Sequence, residues 1–355
     1  MNPFIAESPL SLIMVAALSV LFMYQFGPAG RKINLLDRPV GRKQHYDSVP
    51  LVGGIAICAA VFLSISLLPF SLAEYRILLF STGLLLVMGV LDDHRDVSPL
   101  FKLSVQSIVA IVLVVFDGTL VPNIGDIFAW DDGNSQGLGW VAFPLSFLAI
   151  VGVINAVNMA DGHDGVASTM FLISIICILV LAGNVGLWKW HYLLLLFAVS
   201  TFVHLLFNLG FVGGKEHKIF LGDAGSMVLG LVLVFALIKL GDGQSPALKP
   251  TSAPWILGLP LLDMASVVIS RIGGRKSPIR ADRQHFHHLL VSVGMSRWRV
   301  LGVLALLQLF LCSVGVWGHM ADISDWILFW AMFPTLAFFI AVRQVLTSRS
   351  TSGSR

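Results

Sequence analysis

A chain of 355 residues with 56% hydrophobic and only 12% charged residues and a mean hydropathy of +0.85 lies outside the composition of soluble globular proteins. That composition belongs in a membrane; the formal net charge is +3, and no nucleic-acid partner is expected.

A bilayer-spanning helix needs about 20 mostly apolar residues, somewhat fewer where neighbours bury its ends. Such runs follow one another at 9–29, 50–69, 75–91, 101–116, 140–160, 166–183, 190–212, 224–240, 253–270, 299–318 and 324–345. They predict an all-α polytopic integral membrane protein with about eleven transmembrane helices. A soluble protein with buried helices would need polar stripes on most of these segments, and they lack them. Met1 to Pro9 carries no Lys or Arg and the first run is long enough to span, so the first helix is expected to stay in place. Cys58, Cys177 and Cys312 fall inside apolar runs without metal-ligand spacing and read as small packing residues.

Cytoplasmic loops hold an excess of Lys and Arg. One alternate set of connections, with the C-terminal tail, contains nineteen of the 23 Lys and Arg, against Arg76, Lys189, Lys239 and Lys249 in the other. The first set is therefore expected in the cytoplasm, with the N-terminus periplasmic and the C-terminus cytoplasmic. The expected organisation is one transmembrane catalytic domain, 1–345, with cytoplasmic loops at 31–49, 92–102, 161–165, 213–223 and 271–298. A short cytoplasmic tail, 346–355, is expected to be disordered.

With that topology the polar sequences share one side. The third span exits at "LDDHRD", with Asp92, Asp93 and Asp96. The fifth exits at "INAVNMADGHDG", where Asn155 and Asn158 share a helical face and Gly162 suits a helix end. The eighth begins after "FLGDAGS", with Asp223 before its first turn, and "RIGGRKSPIRADRQHFHHLL" joins the ninth to the tenth. Taken singly, Asp92 and Asp93 could be a solvated helix end and Asp223 an N-cap. The asparagines could be helix–helix hydrogen-bonding groups, and the histidines lack the companion ligands of a structural zinc site. Asp263 stands inside the ninth span, where an acid is costly and usually functional or paired, and the sequence names no partner for it.

Carboxylate and amide oxygens suit Mg²⁺, which shares its coordination sphere with water and substrate phosphates. Lys43, Lys102, Arg271 and the histidines add positive charge that could hold a diphosphate or a lipid phosphate. Such a site at the lipid boundary suits phosphoryl transfer between a soluble nucleotide and a membrane-bound acceptor.

Five motifs in order, "DRPVGRKQH…VPLVGG" (Asp37 to Gly54), "DDHRD", "NAVNMADGHDG", "FLGDAGS" and "DRQHFHH", resemble the polyprenyl-phosphate N-acetylhexosamine-1-phosphate transferases. Asp96 closing the acidic motif and Phe286 inside His-x-His-His resemble the bacterial branch that transfers GlcNAc-1-phosphate to undecaprenyl phosphate. The peptidoglycan branch, which transfers phospho-MurNAc-pentapeptide, typically has a basic residue and three consecutive histidines there.

The resemblance implies a reaction in which UDP-GlcNAc and undecaprenyl phosphate give undecaprenyl-diphosphate-GlcNAc and UMP, the initiating step of O-antigen or enterobacterial common antigen type glycan synthesis. It implies that Asp223 and Asn158 coordinate Mg²⁺, with Mn²⁺ an alternative. Asp92 and Asp93 would sit beside the attacking phosphate as catalytic residues, organising the metal shell or accepting a proton. Organisation is favoured, because a phosphate monoester with a second pKa near 6 is largely ionised already. By the same resemblance Phe220 would stack on uracil, Asp164 bind the nucleoside, Asp161 help hold the pocket and Lys102 contact the diphosphate. Lys43 belongs to the other basic motif, and Arg271, His285, His287 and His288 would close over sugar and phosphates. The implied setting is the bacterial inner membrane, with UDP-GlcNAc, undecaprenyl phosphate and the bilayer as partners and a homodimer compatible with the sequence. The same chemistry on another UDP-N-acetylhexosamine or on phospho-MurNAc-pentapeptide is the alternative. A secondary transporter would commonly show an internal repeat and a midplane site, and neither is seen.

Overall fold

Long apolar runs close their backbone hydrogen bonds within a helix, as a bilayer requires of any open chain that crosses it. The computed structural model describes residues 9–37, 48–67, 72–129, 137–183, 188–242, 247–275, 277 and 285–352. Its helices in chain order are α1 (Pro9–Lys32), α2 (Gly53–Ser66), α3 (Arg76–Arg95), α4 (Pro99–Phe116), α5 (Ala142–Ala160), α6 (Val166–Gly183) and α7 (Trp188–Leu209). They continue with α8 (Gly222–Gly241), α9 (Ala253–Leu257), α10 (Leu259–Gly273), α11 (Phe286–Ser292), α12 (Arg297–Met320) and α13 (Asp325–Ser352). Among the described residues the departure from all-α is one antiparallel pair, β1 (Leu36–Asp37) with β2 (Val49–Pro50), in which Leu36 faces Pro50 and Asp37 faces Val49.

Among the described residues eight helices are long and apolar enough to cross a membrane, or nine if the bent pair α9 and α10 is one span. The two other expected positions hold shorter apolar helices, α2 and α6. At 14 residues, α2 is roughly 21 Å long at 1.5 Å per residue, short of a hydrocarbon core of about 30 Å. Length and composition therefore support eight to nine of the eleven expected spans. Helix α13 runs through Ser352 and so takes in the described part of the segment 346–355. Each added residue extends an existing hydrogen-bond ladder at little cost, and no Gly or Pro interrupts 346–352.

The expected single span 253–270 is broken by an 82° bend between α9 and α10. Gly258 takes a φ of +51° there, a left-handed conformation that glycine adopts without strain. The backbone groups freed by the break are satisfied by Gln308 of α12. Its Oε1 accepts the Leu259 N–H at 2.8 Å, and its Nε2 donates to the Ile256 carbonyl at 3.1 Å and to Ser174 Oγ at 2.8 Å. Irregular backbone at membrane depth survives only where protein groups re-satisfy it in this way.

Helix α8 is the axis of the bundle, buried along nearly its whole length and packed on α2, α3, α5 and α6. It is apolar on every side, as a helix surrounded by protein should be. Small residues bring its backbone close to its neighbours: a Cβ on Gly54 would overlap Gly225, one on Gly89 would overlap Ala224, and Gly230 abuts the backbone of Ile154.

The two ends of the bundle differ. At one end ion pairs and hydrogen bonds clamp the connections, with Lys239 to Asp117 at 2.7 Å, Lys249 to Asp322 at 2.6 Å and Thr251 Oγ1 to Asp325 at 2.6 Å. The other end collects the polar motifs and opens into a cavity.

Candidate active site

The "FLGD" segment before α8 is laced by its backbone to the segment before α2. The Phe220 N–H donates to the Pro50 carbonyl, and the N–H groups of Gly53 and Gly54 donate to the carbonyls of Phe220 and Leu221, each at 2.9 Å. A Cβ on Gly53 would run into His204 and the Phe220 carbonyl, so that glycine is required by close approach. "VPLVGG" is thus the backbone cradle of "FLGD".

These segments and the ends of α3, α4 and α5 enclose a cavity of about 890 Å³, a size common for small-molecule sites. Asp92, Asp93, Lys102, Asp161, Asp164, Phe220 and Asp223 all line it. Four of the five expected motifs therefore meet in one space. The fifth adjoins it, because a Cβ on Gly162, itself a lining residue, would overlap the His287 imidazole at Nε2.

At its centre Lys102 of α4 pairs with Asp92 of α3 and, at 2.8 Å, with Asp223 of α8. Asp92 is further fixed by accepting the Val97 N–H at 3.0 Å. Asp223 also accepts from Asn158 Nδ2 at 3.0 Å, and the same amide donates to Ser226 Oγ at 2.9 Å. Asp93 is used differently, because its two oxygens accept the N–H groups of Asp223 at 2.9 Å and Ala224 at 3.3 Å, capping the free amides of α8. Asn155 exchanges hydrogen bonds with Gln106, at 2.6 and 3.4 Å, as interhelical glue.

Asp161 ends α5. Burial, followed by the carboxylates of Asp223, Asp93 and Asp164, holds its carboxyl well above the usual carboxylate range. Asp164 accepts from Lys218 at 2.8 Å and Arg297 at 2.9 Å, and Lys218 Nζ stands 4.9 Å from the Phe220 ring centre. Arg297 was not singled out in the sequence; its link to Asp164 ties α12 to the cavity. Asn208 of α7 was also missed. It lines the cavity, donates to the Ile219 carbonyl at 2.9 Å and has a buried Oδ1 without a hydrogen-bond partner among the described residues.

Arg271, His285 and His287 are buried outside the cavity lining. His288 stands beside His287, with ring centres 4.1 Å apart. Burial, then His288, His285 and His163, pushes the His287 pKa down to about 3, so at neutral pH it is an uncharged hydrogen-bonding group rather than a cation. Lys43 lies outside the described residues.

Among the described residues no three His, Cys, Asp or Glu side chains form a ready metal cage. The donor set nevertheless fits a hard divalent cation. Asp92 and Asp223 converge on one ammonium, in the manner of a site that completes its coordination with water and phosphate oxygens.

Residues 75–241 match the family described as glycosyl transferase family 4. Over 335 residues, 93% of this chain and 88% of the other, the sequence is 30% identical to the undecaprenyl-phosphate alpha-N-acetylglucosaminyl 1-phosphate transferase of Escherichia coli strain K12. The chain belongs to this transferase family. The proteins of the same name from Yersinia pestis and Pasteurella multocida strain Pm70 are 31% and 32% identical. Those alignments cover 93% and 90% of this chain and 89% of each relative. The family 4 match contains the whole Asp92–Lys102–Asp223 cluster, so the resemblance carried by the motifs is borne out.

Proposed function

We propose that this family 4 transferase moves GlcNAc-1-phosphate from UDP-GlcNAc to undecaprenyl phosphate, releasing UMP, as the initiating step of O-antigen or enterobacterial common antigen type glycan synthesis. The observation that carries the reading is the convergence of Asp92, Asp223 and Lys102 on one cavity, with Phe220 in its wall. The names of the relatives support the same acceptor and sugar.

The reaction forms one phosphorus–oxygen bond and breaks another, so alignment and charge neutralisation carry most of the catalysis. Two polyanionic substrates cannot approach these carboxylates unaided, and bound Mg²⁺ would supply the missing positive charge and stabilise the departing UMP. Asp223 would hold the ion, with Asn158 keeping Asp223 oriented. Lys102, already between the two carboxylates, would turn its ammonium to the diphosphate. Asp92 is anchored by a backbone amide and an ion pair and suits an organising role better than that of a base, since the lipid phosphate is largely ionised. Asp93 would position Asp223 through the start of α8. Phe220 would offer one ring face to the base, its segment fixed by the β2 and α2 cradle.

In the test, purified protein should release UMP from UDP-GlcNAc only when both Mg²⁺ and a polyprenyl phosphate are present. Release without the lipid would mean hydrolysis and would overturn the reading; a panel of UDP-sugars identifies the sugar. The proposed setting is the inner membrane with eleven crossings and the cavity at the cytoplasmic face, supported by the charge asymmetry. In a background without native cysteines, Ser277→Cys should react with an impermeant thiol reagent only after the inner membrane is opened, and Ser324→Cys in intact spheroplasts. The reverse pattern would invert the orientation.

A further inference from the structure

Asp263 is a buried acid on α10. A charge in such a place is expensive unless paired and usually serves a function. It does not line the large cavity. Its Oδ2 is 2.9 Å from His285 Nδ1, and its Oδ1 accepts the Phe286 N–H at 3.0 Å. On the other side Arg343 of α13 brings Nε to 3.9 Å from Oδ1 and donates from Nη1 to Ser266 Oγ at 2.7 Å. Ser266 in turn donates to the Asp263 carbonyl at 2.7 Å.

We infer that Asp263 is a positioning residue for the His285–His288 turn. Neutralising Arg343 alone would not direct both oxygens at consecutive residues of that turn. A carboxylate can only accept, so His285 must carry a hydrogen on Nδ1, and in the neutral ring Nε2 is then the acceptor. The rings of His285 and His287 are nearly parallel, 6° apart with centres at 6.0 Å. His287 Nε2 is buried, without a hydrogen-bond partner among the described residues, at the Gly162 edge of the cavity. The order of control runs from Asp263 through His285 to His287 and so to the cavity wall. His285 in this arrangement acts through His287 rather than on substrate, and Arg343 couples the last helix to the site.

The kinetic half of the inference rests on the proposed transferase reaction; the pairing does not. For the pairing, full-length protein labelled with ¹⁵N-histidine in detergent is observed by NMR, the His285 signals being those lost in His285→Asn. With the imidazole neutral, the parent should show His285 protonated at Nδ1 and bare at Nε2, and Asp263→Ala, which removes both acceptor oxygens, should abolish that pattern. An unchanged pattern overturns the inference whatever the protein catalyses. For the kinetics, Asp263→Asn should lower turnover at saturating substrates about tenfold or more, the scale expected of a misplaced group. UMP affinity should remain within about twofold of the parent, because Asp263 does not touch the cavity; Asp263→Glu should recover part of the loss. A merely structural role would remove UMP binding and turnover together. The double variant with His285→Asn should be no worse than either single. Should Asp263→Asn not fold, His285→Asn carries the test, and full turnover in it overturns the inference. A parent without UMP release refutes the reaction instead and leaves the NMR result to decide the pairing.

Discussion

Asp93 holds Asp223 by its backbone: the carboxylate on α3 accepts the Asp223 N–H at 2.9 Å and the Ala224 N–H at 3.3 Å. Neighbouring acids in one motif therefore have different roles. Asp92 meets Lys102 through its side chain, whereas Asp93 fixes where α8 begins. Removing a cap of this kind costs about 1 kcal/mol, and the cost falls on the segment carrying Asp223. Asp93→Ala should lower the melting temperature in detergent and reduce turnover together. Asp93→Asn, which keeps one acceptor, should lose less of both, while Asp92→Asn should lose turnover with its melting temperature nearly unchanged. Equal thermal stability of Asp93→Ala and the parent would remove the capping role.

Lys102 occupies the space between Asp92 and Asp223 with its own positive charge. In Lys102→Met those carboxylates face each other without the ammonium, and the apolar stem is retained. Turnover should fall roughly 100-fold, the scale for removing one electrostatic donor. Binding of Mn²⁺ to the substrate-free protein, followed by electron paramagnetic resonance, should strengthen because no ammonium competes with it. Weaker Mn²⁺ binding in this variant would mean that the ion goes elsewhere.

Sequence motifs brought most of the cavity into view, because they supply whole clusters of like chemistry and the charge asymmetry places those clusters on one side. What they lacked was the rotation of each helix. A helix such as α8 that is apolar all round carries no moment to say which face Asp223 shares with Lys102 or which backbone Gly89 admits. Asp263 had no visible partner for the same reason: His285 and Arg343 reach it from separate elements, and α10 itself begins only after the bend at Gly258. That bend was illegible in an apolar run, since it depends on Gln308 of α12 to satisfy Leu259 and Ile256. Asn208 was a single polar residue near a helix end, and what distinguishes it is a place in the cavity wall with an Oδ1 unpaired among the described residues.

Gly162 was read as a helix terminator, but it is also the place where His287 reaches the cavity wall. A methyl group there would overlap Nε2 and push the imidazole back. Gly162→Ala should keep the fold and lose about tenfold or more in turnover, and adding His287→Ala should cost little beyond that. Independent, multiplying losses in the double variant would show that the two residues do not act through one contact.

In the proposed reaction Asp164 would serve nucleotide binding rather than chemistry. It accepts from Lys218 and Arg297, and Lys218 stands over Phe220; none of these side chains touches the Lys102 cluster among the contacts described. Asp164→Ala frees both cations and loosens the wall around Phe220. It should raise the KM for UDP-GlcNAc and the Kd for UMP about tenfold, with turnover at saturation within about threefold of the parent. Asp92→Asn should do the opposite, lowering turnover while UMP binds nearly as before. Lys218→Met and Arg297→Met tell which cation matters. If the Lys218–Phe220 contact shapes the base site, Lys218→Met reproduces the Asp164→Ala binding loss and Arg297→Met gives the smaller effect, since its guanidinium lies against Trp298 rather than Phe220. Isothermal titration with UMP reads these affinities without turnover. An Asp164→Ala protein that folds and binds UMP with the parent's affinity would remove the "DGHDG" carboxylate from the nucleotide site.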